Sequence, residues 1–110
     1  MEYVPDRWVV IKITPAEGDP HYRVFASFYG GYLSGDSWKM NSGITSVEET
    51  EKDYLFSGSS GSCYRCSKDA YGMSAYSASV LNQLIKSNDG LISGELPETT
   101  NWMELDYGKS

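Results

Sequence analysis

Apolar positions recur every second residue in two early segments and at helical spacing in one late segment. In RWVVIKIT, residues 7–14, Val9, Ile11 and Ile13 fall on one face and Trp8, Val10 and Lys12 on the other, which predicts a β-strand. In HYRVFASFY, residues 21–29, Tyr22, Val24, Ala26 and Phe28 alternate with His21, Arg23, Phe25, Ser27 and Tyr29. Between them PAEGDP supplies Pro15, Gly18, Asp19 and Pro20, residues that preset or permit a turn, so the two segments read as a hairpin. A glycine-rich connection, GGYLSGD, leads into SWKMNS and GITSVEE, two short strands or one strand bent near Gly43. DYLFSG and SCYRCS read as a further hairpin closed around Ser59, Ser60 and Gly61.

The helical spacing begins after Ser74, whose side chain suits an N-cap. Tyr76, Val80, Leu81, Leu84 and Ile85 fill one half of the wheel, in line with Met73, and Asn88, Asp89 and Gly90 stop the helix. A stripe this wide suits packing on a sheet, and each buried apolar side chain contributes about 1.5–3 kcal/mol. Leu91 and Ile92 suggest one more short strand. Beyond Pro97 the expectation is irregular chain, anchored if at all by Trp102, Met103 and Leu105. The fold class expected is α+β: an antiparallel sheet of four to six strands, a meander of hairpins, with one amphipathic helix at about 74–87 packed on one face. Residues 1–96 form the single domain and residues 97–110 a polar acidic tail. A sheet with one helix leaves its other face open, and Trp8, Phe25 and Tyr29 on that face would suit self-association or a partner.

Composition narrows the function classes. The chain of 110 residues is 40% apolar and 14% aromatic, values of a globular domain. Its net charge of −6, concentrated in residues 48–53 and 91–110, argues against direct nucleic-acid binding, which wants a basic stripe. No stretch approaches the roughly 20 apolar residues of a membrane span. The first residues, MEYVPDRWVV, lack the features of a signal peptide, so a cytoplasmic protein with reduced cysteines is expected.

Cys63 and Cys66 form a C-x-x-C. With His21 they are the only thiolate or imidazole ligands in the chain, too few for a structural zinc site. A redox dithiol sits at a helix N-terminus, whereas these cysteines sit on an expected strand, where residues three apart point to opposite faces. No G-x-S-x-G, G-x-x-x-x-G-K-[ST] or G-x-G-x-x-G occurs, so neither catalytic machinery nor a cofactor is indicated. Two segments combine glycines, aromatics and polar groups: YGGYLSGDSWKMNSG, residues 29–43, and GSCYRCSKDAYG, residues 61–72. They offer flat contact area at Tyr32, Trp38, Tyr64 and Tyr71 and directed hydrogen bonds from Asp36, Lys39, Asn41, Arg65 and Lys68. Arg65 in particular can hold phosphate or carboxylate bidentately. The competing reading makes the aromatics core and the glycines turns.

The same stretches carry a resemblance. GGYLSGDSWKMNSGI followed by SGSCYRCSKDAYG resembles a group of small uncharacterised proteins of tailed phages and their prophages, over about residues 22 to 85. The matching positions include Gly30, Gly31, Tyr32, Asp36, Ser37, Trp38, Asn41, Tyr64, Cys66, Lys68, Tyr71 and Gly72. The resemblance implies an accessory protein made in an infected or lysogenic bacterium, non-enzymatic, that binds and modulates a host protein in host takeover or anti-defence. The alternative is a sequestering protein for a small molecule or nucleotide, using the aromatic and glycine-rich segments. An enzyme working through His21 or Arg65 comes third.

Overall fold

The computed structural model describes residues 2–30, 35–88 and 91–107. Its elements are β1 (Glu2–Tyr3), β2 (Arg7–Ile13), β3 (His21–Phe28), β4 (Ser37–Met40), β5 (Ile44–Glu49), β6 (Asp53–Gly58), β7 (Cys63–Ser67), α1 (Ala75–Ser87) and β8 (Ile92–Glu95). The α+β class is as expected, but the strands form two four-stranded sheets, ordered β1-β7-β6-β5 and β4-β3-β2-β8. Every pairing is antiparallel except that of β1 with β7.

Both hairpins form where the alternation places them. Arg7 pairs with Ser27 and Ile13 with His21 in the first, Asp53 with Ser67 and Ser57 with Cys63 in the second. SWKM and ITSVEE are separate strands in different sheets. Between them lies Gly43 at φ 129°, a left-handed backbone that side chains disfavour, so the chain crosses from one sheet to the other at a glycine.

The two sheets face each other across an aromatic core. Trp8, Val10, Val24 and Ala26 from one sheet meet Ile44, Phe56, Tyr64 and Cys66 from the other. The opposite face of the β4-β3-β2-β8 sheet is covered by α1, where Val9, Ile11 and Phe25 pack with Leu81 and Ile92. The two central strands of this sheet are therefore buried on both sides, which corrects the expectation of an open face carrying Trp8 and Phe25. The register decides it: Phe25 lies opposite Val9, not opposite Trp8, so the two rings point to different faces. Trp8 enters the sandwich and Phe25 stacks on Trp38, ring centroids 5.3 Å apart, on the α1 side. Tyr29 alone of the three is exposed.

The helix starts as its cap residue dictates, with Ser74 Oγ accepting the Ser77 N–H at 3.1 Å. It ends at Asn88, whose backbone N–H and side-chain Nδ2 both donate to the Leu84 carbonyl. Its buried line runs through Ser77 and Leu81, leaving Tyr76, expected on the apolar face, exposed. The small Ser77 lies where a tyrosine would hold the helix off the sheet. The segment after Pro97 carries Trp102 into the sandwich, against Trp8, Phe56 and Tyr71, with Leu105 and Tyr107 packed at its border. Of the three anchors expected there, Met103 is exposed.

Candidate functional site

The residues singled out in the sequence do not form one cluster. Tyr32 lies outside the described residues. Asp36 is exposed and accepts the Gly30 N–H on Oδ1 at 3.4 Å, closing the glycine-rich connection. Trp38 lies against Phe25 under the helix. Tyr71 is a core strut: it packs edge-on against Trp8 at 4.8 Å and donates its hydroxyl to the Leu96 carbonyl. Burial pushes that phenol up to about 12.

Arg65 and Lys68 are engaged with carboxylates of their own chain. The alternation of β7 turns Tyr64 and Cys66 inward and Arg65 outward, onto the face of the sheet remote from the core. There its guanidinium bonds Glu2 from β1 at 3.0 Å and Asp53 from β6 at 3.3 Å. The fork expected to hold a ligand's anion holds two carboxylates of its own chain, tying three strands together. Lys68 meets Glu49 at 2.6 Å with its ammonium 5.1 Å from the Tyr54 ring centroid. The cysteines part as the strand spacing requires: Cys66 is buried in the sandwich, where burial raises its thiol well above the ordinary value, and Cys63 lies on the outer face, its thiol raised mainly by burial and then by Glu2. His21 lies on β3 of the other sheet, and among the described residues no group of three His, Cys, Asp or Glu is placed to hold a metal ion.

Lys39, Asn41 and Tyr64 do converge. They line an open cleft of about 310 Å³ with Tyr3, Arg23, Met40, Ser42, Ser60 and Ser62. The cleft lies where β1 and β7 of one sheet approach β3 and β4 of the other. Tyr3 and Tyr64 stand side by side, ring centroids 5.0 Å apart, because β1 pairs in parallel with β7 and sets residue 3 opposite residue 64. Lys39 places its ammonium 5.2 Å from the Tyr3 ring centroid. Arg23 donates Nε–H to His21 Nε2 at 3.1 Å and reaches Met40 Sδ at 3.9 Å.

Asn41 forms the floor. It is 2% exposed, and its Oδ1 accepts the Val24 N–H at 2.9 Å, which fixes the amide's orientation. The Nδ2 donor is buried with no hydrogen-bond partner among the described residues. Leaving such a donor unsatisfied costs about 1–3 kcal/mol. Beside it, Ser42 Oγ accepts the Ser60 N–H at 2.9 Å and lies 3.0 Å from Ser59 Oγ, fastening the β6–β7 turn to the rim. Gly58 keeps this corner open, since a Cβ there would come within 3.1 Å of Ser42 Oγ and 3.4 Å of Asn41 Nδ2.

Charge sets this cleft apart. Its wall contains Arg23 and Lys39 and, among the described residues, no carboxylate, on a chain of net charge −6. Neither cation is ion-paired among the described residues. A hollow of similar size, about 340 Å³, is lined by Lys12, Asp19, Pro20, Tyr22 and Asp106, so its two carboxylates offset its one cation. Sequence reasoning missed Tyr3, Arg23 and the serines. The signal for Arg23 was a lone cation inside a strand otherwise rich in aromatic and apolar residues; Tyr3 gave none, because a two-residue strand has no period to read. No protein-family model, curated protein or solved structure matches this chain, so the site is read from its own geometry.

Proposed function

We propose that the protein is a non-catalytic binding protein that takes up a small anionic ligand in the cleft between Tyr3, Arg23, Lys39, Asn41 and Tyr64. The observation that carries this reading is the buried Asn41 amide with an unpartnered donor, framed by two cations that have no carboxylate partner among the described residues. A ligand oxygen would satisfy the Nδ2 donor and balance the charge at once. Tyr3 and Tyr64 supply a flat wall, and Ser42, Ser60 and Ser62 supply further donors at the rim. The resemblance to small phage proteins adds a setting, sequestration of a small signal in the cytoplasm of an infected or lysogenic bacterium. A host-protein partner is the other reading; of the residues expected to offer it an open sheet face, Trp8 and Phe25 are buried. The large apolar residues that are exposed, Val4, Tyr29, Tyr76 and Met103, sit on four separate segments.

Calorimetric titration with inorganic phosphate, pyrophosphate and citrate tests the reading. Saturable binding is expected, weakened about tenfold or more in Lys39→Ala and in Arg23→Ala, since a charge-assisted hydrogen bond contributes about 1.5–3 kcal/mol. Absence of saturable binding to all three anions, or variants that bind like the parent, would contradict it.

A further inference from the structure

Arg23 and Ser42 belong to two hollows at once. Besides the cleft above, both line an adjoining one of about 300 Å³, completed by His21, Gly43, Ile44, Thr45, Ser59 and Tyr107. The two lobes differ in chemistry. The first gathers Lys39, the Asn41 amide and the serine hydroxyls; the second gathers two ring systems, an isoleucine and a bare stretch of backbone.

We propose that the ligand is a mononucleotide, with its phosphate in the first lobe and its base in the second. This inference rests on the anion-binding reading above and adds the identity of the group attached to the anion. Three observations carry it. The second lobe suits a planar ring: His21 and Tyr107 bring their rings to it, and Gly43, at φ 129°, keeps side chains off that wall. The His21 ring is held in place through its edge, with Nε2 accepting from Arg23 at 3.1 Å and Nδ1 3.4 Å from the Asp19 carbonyl. Arg23 stands at the junction, where a guanidinium can bond a phosphate oxygen and lie against a base in one geometry. Thr45 and Ser59 add hydroxyls that can meet the polar edge of a base.

The test compares affinities by NMR titration of the intact protein with inorganic phosphate, ribose 5-phosphate, phenyl phosphate and the four common nucleoside monophosphates. At least one nucleoside monophosphate is expected to bind tenfold or more tightly than ribose 5-phosphate and phenyl phosphate. Its shifts should extend to Ile44 and Thr45, whereas inorganic phosphate should move only the resonances around Lys39 and Asn41. Thr45→Trp, at an exposed position of β5, should abolish the tenfold excess and leave the affinity for ribose 5-phosphate within twofold. The mapping of shifts on the parent protein stands without that variant. Nucleotides that bind no better than ribose 5-phosphate or phenyl phosphate, with Ile44 and Thr45 unmoved, would overturn the assignment of the second lobe and leave anion binding intact. If no probe moves Lys39 or Asn41, both readings fall.

Discussion

Asn41 accepts the Val24 N–H on its Oδ1 at 2.9 Å, and that one bond gives the candidate site its polarity. The amide has one end committed to the backbone of β3, and its other end, the Nδ2 donor, is buried without a hydrogen-bond partner among the described residues. Replacing Asn41 with Asp keeps the acceptor but removes the donor and places a carboxylate beside Arg23 and Lys39. Loss of anion binding is expected in Asn41→Asp with the fold retained. Asn41→Ala removes the acceptor as well and leaves a buried Val24 N–H unpaired, so a stability loss of about 1–3 kcal/mol is expected in urea titration.

Gly58 provides a second handle on the same corner. A methyl group there would press on Ser42 Oγ at 3.1 Å and reach Asn41 Nδ2 at 3.4 Å. Gly58→Ala should therefore weaken anion binding severalfold, measured by titration calorimetry, while the dispersed amide spectrum of the folded protein persists.

Arg65 separates the account from the sequence expectation. Because its guanidinium is engaged with Glu2 and Asp53 on the outer face, Arg65→Ala should leave anion affinity unchanged. The change should appear instead at the N-terminal strand, as faster amide exchange at Tyr3. Salt should reproduce part of that effect, since exposed pairs are screened.

Trp102 links the C-terminal segment to the core, with its ring 5.6 Å from both Trp8 and Tyr71. Trp102→Ala should destabilise the fold by about 3–5 kcal/mol in urea titration. Removal of residues 97–110 should have at least that effect, which a dispensable tail would not show.

The pH dependence follows from groups whose burial favours the protonated form. Tyr71 is pushed up to about 12, and Tyr64, Tyr107 and Cys66 are also raised. In the unfolded chain these groups lose protons at their ordinary values, near 9 for the thiol and 10 for the phenols, while the folded protein still holds them. The unfolded state then binds fewer protons, so stability is fully present below about pH 9 and is lost as pH rises toward 12. Thermal melting points measured from pH 7 to 11 should fall across the upper part of that range. A thiol reagent at pH 8 should label Cys63 first and Cys66 only on unfolding.

The two hairpins and the helix were legible because their periods, 2 and about 3.6, run long enough to identify a buried face. What the pattern did not carry was register. Whether Phe25 lies opposite Val9 or Trp8 differs by one position, and that position decides between an open sheet and a sheet covered on both sides. Part of the site was legible from composition instead. Lys39, Asn41 and Tyr64 lie in segments whose composition stood out, whereas Arg65 and Lys68 lie in the same kind of segment and face their own carboxylates. Tyr3 reaches the cleft through the pairing of β1 with β7, distant in the chain, and Arg23 only where β3 and β4 approach the other sheet, neither of which a local pattern encodes.

The most direct measurement follows the side-chain amide of Asn41 by two-dimensional NMR as inorganic phosphate is added to ¹⁵N-labelled protein. The account predicts a saturable shift of the two Nδ2 protons, shared by the Arg23 Nε–H and absent in Lys39→Ala at the same phosphate concentration. An Asn41 amide that keeps its position while phosphate, pyrophosphate and citrate are raised to tens of millimolar would contradict the claim that this cleft binds an anion.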